Sequence, residues 1–161
     1  MVASAMRALL ANETLPENLR CLVFGGEALK SSLVEHVLAL RPGLRIFNAY
    51  GPTEDTVYST IAEIDPQHDK ITIGKSVRSS RAYILGEDML PVAVGETGEL
   101  YLAGNKLARE YLYDAALTKE RFIEWSATEL IPESRLYKTG DLCRWTEYSE
   151  IEYIERADQQ V

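Results

Sequence analysis

Residues 21–54 read CLVFGGEALKSSLVEHVLALRPGLRIFNAYGPTE, and their pattern indicates the fold class of the first part of the chain. The apolar run 22–24 stops at Gly25 and Gly26, a pattern typical of a buried strand that enters a tight turn. Residues 45–48 resume as a second short strand. Because neighbouring strands joined through a helix lie parallel in a sheet, the stretch predicts a βαβ-like unit.

The segment between these two strands predicts a helix. Ser32, with Glu35 three residues later, has the pattern of a capping box. Leucine and valine side chains then recur on one helical face until Pro42 and Gly43, which are typical of a helix end. We therefore expect a helix that begins near Ser32 and ends before Pro42.

From about residue 57 the pattern changes to short runs of period two separated by turn residues, which favours an antiparallel sheet or barrel. The candidate strands are residues 57–64, 71–73, 81–85, 99–103, 142–145 and 151–154. One clear helix interrupts them, beginning near Thr118 and carrying Phe122 and Ile123. The predicted fold class is therefore α/β followed by mainly antiparallel β.

The composition indicates a globular protein with a packed core, since 46% of the 161 residues are hydrophobic and 26% are charged. The net charge of −8 argues against broad nucleic-acid binding, which needs Lys and Arg to replace counterions along the phosphates. The apolar runs fall short of the roughly 18 residues that cross a bilayer, so no membrane partner is expected. Cys21 and Cys143 lie outside any CxxC pair, and we expect two buried, reduced thiols in a cytoplasmic protein.

Three glycine-centred segments carry polar groups that suit a nucleotide. In the first, residues 25–28, glycine permits a close approach of the backbone to a flat ligand such as a nucleobase. Taken alone, this segment is better explained as a plain turn between strand and helix. In the third, residues 137–142, Asp141 follows a glycine and could accept hydrogen bonds from a ribose diol, although it could also belong to an ordinary polar turn.

The second segment, residues 48–54 with the sequence NAYGPTE, is the densest in functional groups. Tyr50 can stack on a base and Asn48 can hydrogen-bond its edge. Thr53 can donate to a phosphate, and Glu54 can bind Mg²⁺. The alternative is a turn with a solvated glutamate.

The order GGEAL, NAYGPTE, GELYLAGNKLAREYL, YKTGDL and RADQQV resembles the successive core motifs of amino-acid adenylation domains of nonribosomal peptide synthetases. These domains belong to the acyl-adenylate-forming superfamily, and the resemblance covers about residues 19–161. It implies the C-terminal portion of the large N-terminal domain of such enzymes, with a parallel βαβ unit and a β-barrel-like subdomain. The predicted boundaries are 1–56 for the α/β part, 57–157 for the β-rich part and 158–161 for the start of a hinge.

The resemblance implies an activity that uses ATP and Mg²⁺ to convert an amino acid to an aminoacyl adenylate, with release of pyrophosphate. The acyl group would then pass to the phosphopantetheine thiol of a carrier protein, so the expected partners are the amino acid, the carrier protein and neighbouring synthetase domains. Two alternatives stay open: a fragment of an acyl-CoA synthetase-type carboxylate ligase, or a degenerate non-catalytic remnant.

The resemblance also implies roles for individual residues. The nucleotide-binding residues would be Gly26, Glu27, Ala28, Asn48, Tyr50, Asp141, Tyr153 and Arg156. Thr53 would contact the α-phosphate, Glu54 would bind the metal, and Asp158 would be the hinge. A mostly apolar substrate pocket would be formed by Val23, Gly25, Ala49, Val57 and Tyr58.

In the family, catalysis depends on a phosphate loop with a lysine before this segment and on a second lysine in a small domain after it. Neither is among the 161 residues. Because cations stabilise the charge that develops at the α-phosphate, we predict that the chain alone shows no amino-acid-dependent pyrophosphate exchange above background. Exchange by the purified chain in a radiolabelled pyrophosphate assay would contradict this expectation.

Overall fold

The computed structural model describes residues 1–11, 15–68 and 70–157. Its helices are α1 (Ala3–Leu10), α2 (Ser31–Leu40) and α3 (Ala115–Arg121), with a 3-10 turn at Thr53–Asp55. Its strands are β1 (Cys21–Gly25), β2 (Arg45–Tyr50), β3 (Thr60–Glu63), β4 (Lys75–Ser76), β5 (Ser80–Leu85), β6 (Thr97–Gly104), β7 (Phe122–Glu124), β8 (Arg135–Trp145) and β9 (Ile151–Arg156). None of the helices in these ranges has the length and hydrophobicity needed to span a membrane.

The first sheet contains β1, β2, β3 and β4 in that order. β1 and β2 pair in parallel, whereas β3 and β4 are added antiparallel. Phe24 of β1 and Ile46 of β2 join Met6 of α1 and Val37 of α2 in one hydrophobic core. The predicted parallel βαβ unit is confirmed.

The second sheet has the strand order β5-β6-β8-β7, with β9 paired to β8, and its pairings within the described residues are antiparallel. Its core includes Ile84, Leu100, Cys143 and Ile151, which are fully buried. The expected burial of the thiols is confirmed for Cys143 and wrong for Cys21, which is exposed. The predicted change from α/β to antiparallel β is therefore confirmed.

The first sheet continues past the predicted boundary at residue 56, because β3 and β4 belong to it. Strand order does not show which parts of a chain fold as units, so the boundaries of 1–56 and 57–157 stay predictions. The predicted hinge segment 158–161 lies outside the described residues.

The helix predicted near Thr118 exists, but its predicted extent is wrong. Asp114 caps α3 through its side chain, and the helix ends at Arg121. Phe122 lies in β7 instead, where it pairs with Tyr137 and is 4% exposed, and Ile123 follows it in the same strand. Strand pairing and burial therefore override the local helical pattern.

The strand predicted for residues 57–64 is shorter, because β3 begins only at residue 60. Thr56 and Val57 have φ angles of 49° and 71°, which are incompatible with a strand. The Tyr58 N–H donates to the Thr56 carbonyl at 3.1 Å, and the Lys106 ammonium donates to the Tyr58 carbonyl. A tight turn held from the second sheet thus replaces the first part of the predicted strand.

Residues 71–73 do not form the predicted strand. Their backbone groups are bonded elsewhere, since the Thr72 carbonyl accepts from the Asn48 side-chain amide at 2.8 Å. The Ile73 N–H donates to the Ile151 carbonyl at 2.8 Å.

The predicted capping box is also wrong. α2 begins at Ser31, with Lys30 as the N-cap residue and no side-chain capping bond. Ser32 therefore lies inside the first turn, where helical backbone geometry prevents it from acting as the cap.

Gly74 joins the two sheets through a single antiparallel bridge to Ile151 of β9. The Ile151 N–H donates to the Gly74 carbonyl at 2.8 Å. Gly74 has a φ angle of +77°, and a Cβ atom there would lie 1.9 Å from the Ile61 carbonyl oxygen. Only glycine fits this crossing without displacement of the backbone.

A buried carboxylate makes a second connection between the sheets. Asp55 is fully buried, and its Oδ2 accepts a hydrogen bond from Ser80 Oγ at 2.6 Å. The ammonium of Lys106, just after β6, lies 4.0 Å from the same oxygen. Asp55 Oδ1 has no hydrogen-bond partner among the described residues. Since a buried charge is costly without a counter-charge, Lys106 compensates this carboxylate together with the hydrogen bond from Ser80.

We expect Gly74→Ala to lower the free energy of unfolding by about 3 kcal/mol, from the left-handed backbone and the clash combined. Gly43→Ala is the matched control, because Gly43 has a φ angle of +81° but no atom within 4 Å of the place that an added Cβ would take. The control should lose only about 1 kcal/mol, the backbone part alone. Equal losses in urea titrations would show that the crossing at Gly74 is not tight.

We expect Lys106→Met to lower the free energy of unfolding by about 3 kcal/mol, because it leaves the Asp55 carboxylate buried without its cation. The control is Lys70→Met, which removes an exposed lysine paired with Glu152 at 3.2 Å. Such a surface pair contributes about 0.5 kcal/mol. A loss at Lys106 no larger than at Lys70, again by urea titration, would contradict the prediction.

Candidate nucleotide site

A cleft of about 520 Å³ lies between the two sheets, at the carboxyl ends of the parallel strands β1 and β2. This edge of a parallel sheet is where α/β proteins commonly bind ligands. The cleft is lined by all of the predicted nucleotide-binding residues: Gly26, Glu27, Ala28, Asn48, Tyr50, Asp141, Tyr153 and Arg156. Tertiary structure thus brings together residues from four separate strands or strand ends.

Asp141 of β8 and Tyr50 of β2 are in direct contact across the cleft. The Tyr50 hydroxyl donates a hydrogen bond to Asp141 Oδ2. Arg156 Nη1 of β9 donates to Asp141 Oδ1 at 3.2 Å. Burial and the neighbouring Asp141 charge raise the pKa of Tyr50 well above its usual value, so its hydroxyl stays protonated and remains a donor.

The turn after β1 forms one end of the cleft. Gly26 has a φ angle of +83°, a conformation that glycine adopts without steric cost. The Glu27 carboxylate accepts hydrogen bonds from the Ser4 N–H at 2.8 Å and the Ser4 hydroxyl at 2.6 Å. These bonds lower the pKa of Glu27 and tie the turn to the N-terminal end of α1. The Glu27 carboxylate is therefore already engaged by the protein.

Asn48 supports the opposite wall. It is buried at the end of β2, and its amide donates to the Thr72 carbonyl at 2.8 Å. Ile71 and Ile73, on either side of Thr72, line the cleft. The bond from Asn48 therefore holds this apolar wall against the first sheet.

The predicted catalytic residues Thr53 and Glu54 do not line the cleft, but they follow Pro52, which does. Thr53 is exposed, and Glu54 is half-buried. Glu54 Oε1 accepts a hydrogen bond from the Tyr111 hydroxyl at 2.6 Å, and the Glu54 carbonyl accepts one from the Ala108 N–H at 2.7 Å. The 3-10 turn with these two residues is therefore held by the segment that follows β6.

Only some of the five predicted substrate-pocket residues lie close to one another. A Cβ atom at Gly25 would lie 2.9 Å from both the Ala49 carbonyl oxygen and the Tyr58 ring, so these three residues pack tightly. Val23 is half-buried two residues earlier in β1, whereas Val57 is 63% exposed. Ala49 is the member of this group that lines the cleft. The predicted hinge residue Asp158 lies outside the described residues.

Sequence reasoning missed three residues of the 3-10 turn and its support. Asp55 belongs to this turn, and Lys106 and Tyr111 contact residues 53–58. Asp55 lies directly after the predicted motif, so extending that motif by one residue would have included it. Lys106 and Tyr111 lie in GELYLAGNKLAREYL, but nothing in that segment indicates that it contacts residues 53–58. Within the described ranges, no group of three or more His, Cys, Asp or Glu side chains is placed to hold a metal ion.

Comparison with known proteins places the chain in a family. The sequence profile of the family described as AMP-binding enzyme matches residues 1–112. Gramicidin S synthase 2 of Brevibacillus brevis is 41% identical over 150 residues, which are 92% of this chain and 3% of that protein. Tyrocidine synthase 3 of Brevibacillus parabrevis is 41% identical over 152 residues, covering 93% of this chain and 2% of that protein. Indigoidine synthase of Streptomyces lavendulae is 40% identical over 168 residues, covering 99% of this chain and 13% of that protein.

Solved structures show the same relationship. The chain superposes with a TM-score of 0.91 and 32% identity on holo-PA1221, an NRPS protein containing adenylation and PCP domains bound to a vinylsulfonamide inhibitor. That match covers all of this chain and 28% of the other. The nonribosomal peptide synthetase FmoA3 matches with a TM-score of 0.81 and 30% identity, covering 96% of this chain and 17% of that one.

The chain therefore spans only a small part of the relatives it matches, between 2% and 13% for the three synthases above. These relatives do not favour the acyl-CoA synthetase alternative. The match over residues 1–112, together with the shared fold, shows that this chain belongs to the AMP-binding enzyme family, as a piece of an adenylation domain of the nonribosomal peptide synthetase type.

Proposed function

We propose that this chain supplies the adenosine-binding part of a domain that activates an amino acid with ATP. The reaction joins the amino-acid carboxylate to the α-phosphate, forms an aminoacyl adenylate and releases pyrophosphate. The observation that carries the proposal is the cleft that Tyr50 and Asp141 share, although they belong to different sheets.

The cleft suits the nucleoside part of ATP. Its volume of about 520 Å³ lies in the range of small-molecule sites, and apolar walls at Ile71 and Ile73 can enclose a flat base. Asp141 is 5% exposed and carries an anionic acceptor into this space. A carboxylate has about four lone-pair sites, so Asp141 can accept from the ribose hydroxyls in addition to Tyr50 and Arg156.

The proposed phosphate and metal contacts depend on the 3-10 turn at Thr53–Asp55, beside the cleft. Mg²⁺ in nucleotide sites is commonly held by one or two carboxylates together with the phosphates. Glu54 provides one such carboxylate beside the cleft, so the residues present fit a metal that the nucleotide also binds. The exposed Thr53 hydroxyl can donate to the α-phosphate. Bound Mg²⁺ would neutralise phosphate charge there.

The amino acid is proposed to lie beside the tight contact of Gly25, Ala49 and Tyr58, which offers a small apolar surface with one hydroxyl. Transfer of the acyl group to the phosphopantetheine thiol of a carrier protein is proposed because the similar PA1221 contains adenylation and PCP domains. Neighbouring synthetase domains are proposed as further partners on the same grounds.

A non-catalytic remnant is the competing possibility, and nucleotide binding separates the two. A remnant that has lost its function should give no heat with AMP or ATP in isothermal titration. A surviving adenosine site should bind both nucleotides, since the apolar walls for the base and the carboxylate acceptor for the ribose lie within this chain.

We expect Asp141→Asn to weaken AMP binding about tenfold, because a charged acceptor for the ribose is lost, which is worth about 1.4 kcal/mol. Wild-type protein should also bind 2′,3′-dideoxy-AMP about tenfold more weakly than AMP, whereas the variant should barely distinguish the two. The control Asp88→Asn changes an exposed carboxylate that accepts from the Leu90 N–H in a turn, and it should leave binding unchanged. Equal affinity of the wild-type protein for AMP and its dideoxy analogue would exclude the proposed role of Asp141.

A further inference from the structure

The turn that carries Thr53 and Glu54 is held by one segment that follows β6 of the second sheet, residues 106–111. The Ala108 N–H donates to the Glu54 carbonyl at 2.7 Å. The Thr56 hydroxyl donates to the Lys106 carbonyl at 2.8 Å. These bonds hold the backbone at Glu54 and the side chain of Thr56 just after it, but they do not orient the Glu54 carboxylate.

Tyr111 makes the contact that does orient the carboxylate. Its hydroxyl donates to Glu54 Oε1 at 2.6 Å, over a sequence separation of 57 residues. A hydrogen bond with a charged partner is shorter and stronger than one between neutral groups.

The Tyr111 ring is itself held in place. Its centroid lies 5.6 Å from that of Phe122, which in turn lies 5.0 Å from that of Tyr137. The Tyr111 and Tyr137 hydroxyls are 3.3 Å apart. Because packing and a second hydroxyl fix the ring, the hydroxyl of Tyr111 is presented to Glu54 in one position.

We propose that Tyr111 is a positioning residue, which holds the Glu54 carboxylate in the orientation that binds the metal of a metal–nucleotide complex. This inference rests on the proposed function of the cleft and of Glu54. Tyr111 occupies one acceptor site on Oε1, so the carboxylate keeps acceptor sites for a cation. Residues that orient metal ligands commonly change metal affinity about 10- to 100-fold when they are mutated.

The competing explanation is that Tyr111 only helps to dock the two sheets. The two roles differ in what metal does to nucleotide affinity. Mutation of a docking residue should change nucleotide affinity to the same extent with and without metal. Mutation of a residue that positions Glu54 should change only the gain in affinity that the metal provides.

The test compares ATP binding by isothermal titration with and without Mg²⁺ for the full chain and its Tyr111→Phe variant. Phenylalanine keeps the ring packing and removes only the hydroxyl, so the variant should fold. We expect the gain in ATP affinity from Mg²⁺ to fall about tenfold, with the metal-free affinity within about twofold of wild type. The control Tyr83→Phe removes another tyrosine hydroxyl that donates to a glutamate, Glu133, away from the cleft, and should match wild type.

A second pair of variants links the effect to Glu54. Glu54→Gln should abolish the gain from Mg²⁺, and adding Tyr111→Phe to it should change nothing further, because residues that act through one another are not additive. If Tyr111→Phe lowers the metal-free affinity for ATP together with the gain from Mg²⁺, the positioning role is overturned while the nucleotide site stands. The same holds if Tyr111→Phe behaves like Tyr83→Phe. Absence of ATP binding by the wild-type chain overturns the proposed function and this inference with it.

Discussion

The hydrogen bond from the Tyr50 hydroxyl to the Asp141 carboxylate is the contact on which the candidate site depends. It connects β2 of the first sheet to β8 of the second, over 91 residues of sequence. With it, a buried carboxylate and the carboxyl ends of two parallel strands border the same space.

Directional polar contacts join the two sheets at this cleft, beside apolar contacts of Tyr50 and Ile73 with the core of the second sheet. The buried side chains of the first sheet and its helices form one cluster, and those of the second sheet form others. Between them lie the bridge of Gly74 with Ile151 and the pair of Lys106 with Asp55. Such contacts have narrow geometric optima. They therefore set the relative position of the polar groups more closely than apolar packing would.

Local patterns predicted the elements whose hydrophobic period agreed with their tertiary surroundings. The run 22–24, followed by two glycines, is a strand in the structure, as is the segment that begins at residue 45. The predictions failed where a distant group decided the conformation. Phe122 joins a strand because Tyr137 pairs with it, and Val57 adopts a positive φ angle in a turn held by Lys106. The capping box predicted its N-cap at Ser32, two residues after the observed N-cap Lys30, a typical error at helix ends.

The order of motifs along the chain was enough to indicate the family and to name residues that line one cleft, because each motif keeps its functional groups within a few consecutive positions. Which of these groups touch was decided by tertiary structure alone. Tyr111 reaches Glu54, and Arg156 reaches Asp141, only after β6, β8 and β9 have paired. The reason is physical: a hydrogen bond between side chains depends on positions in space to within a few tenths of an ångström, and sequence spacing specifies such positions only inside a single helix, strand or turn.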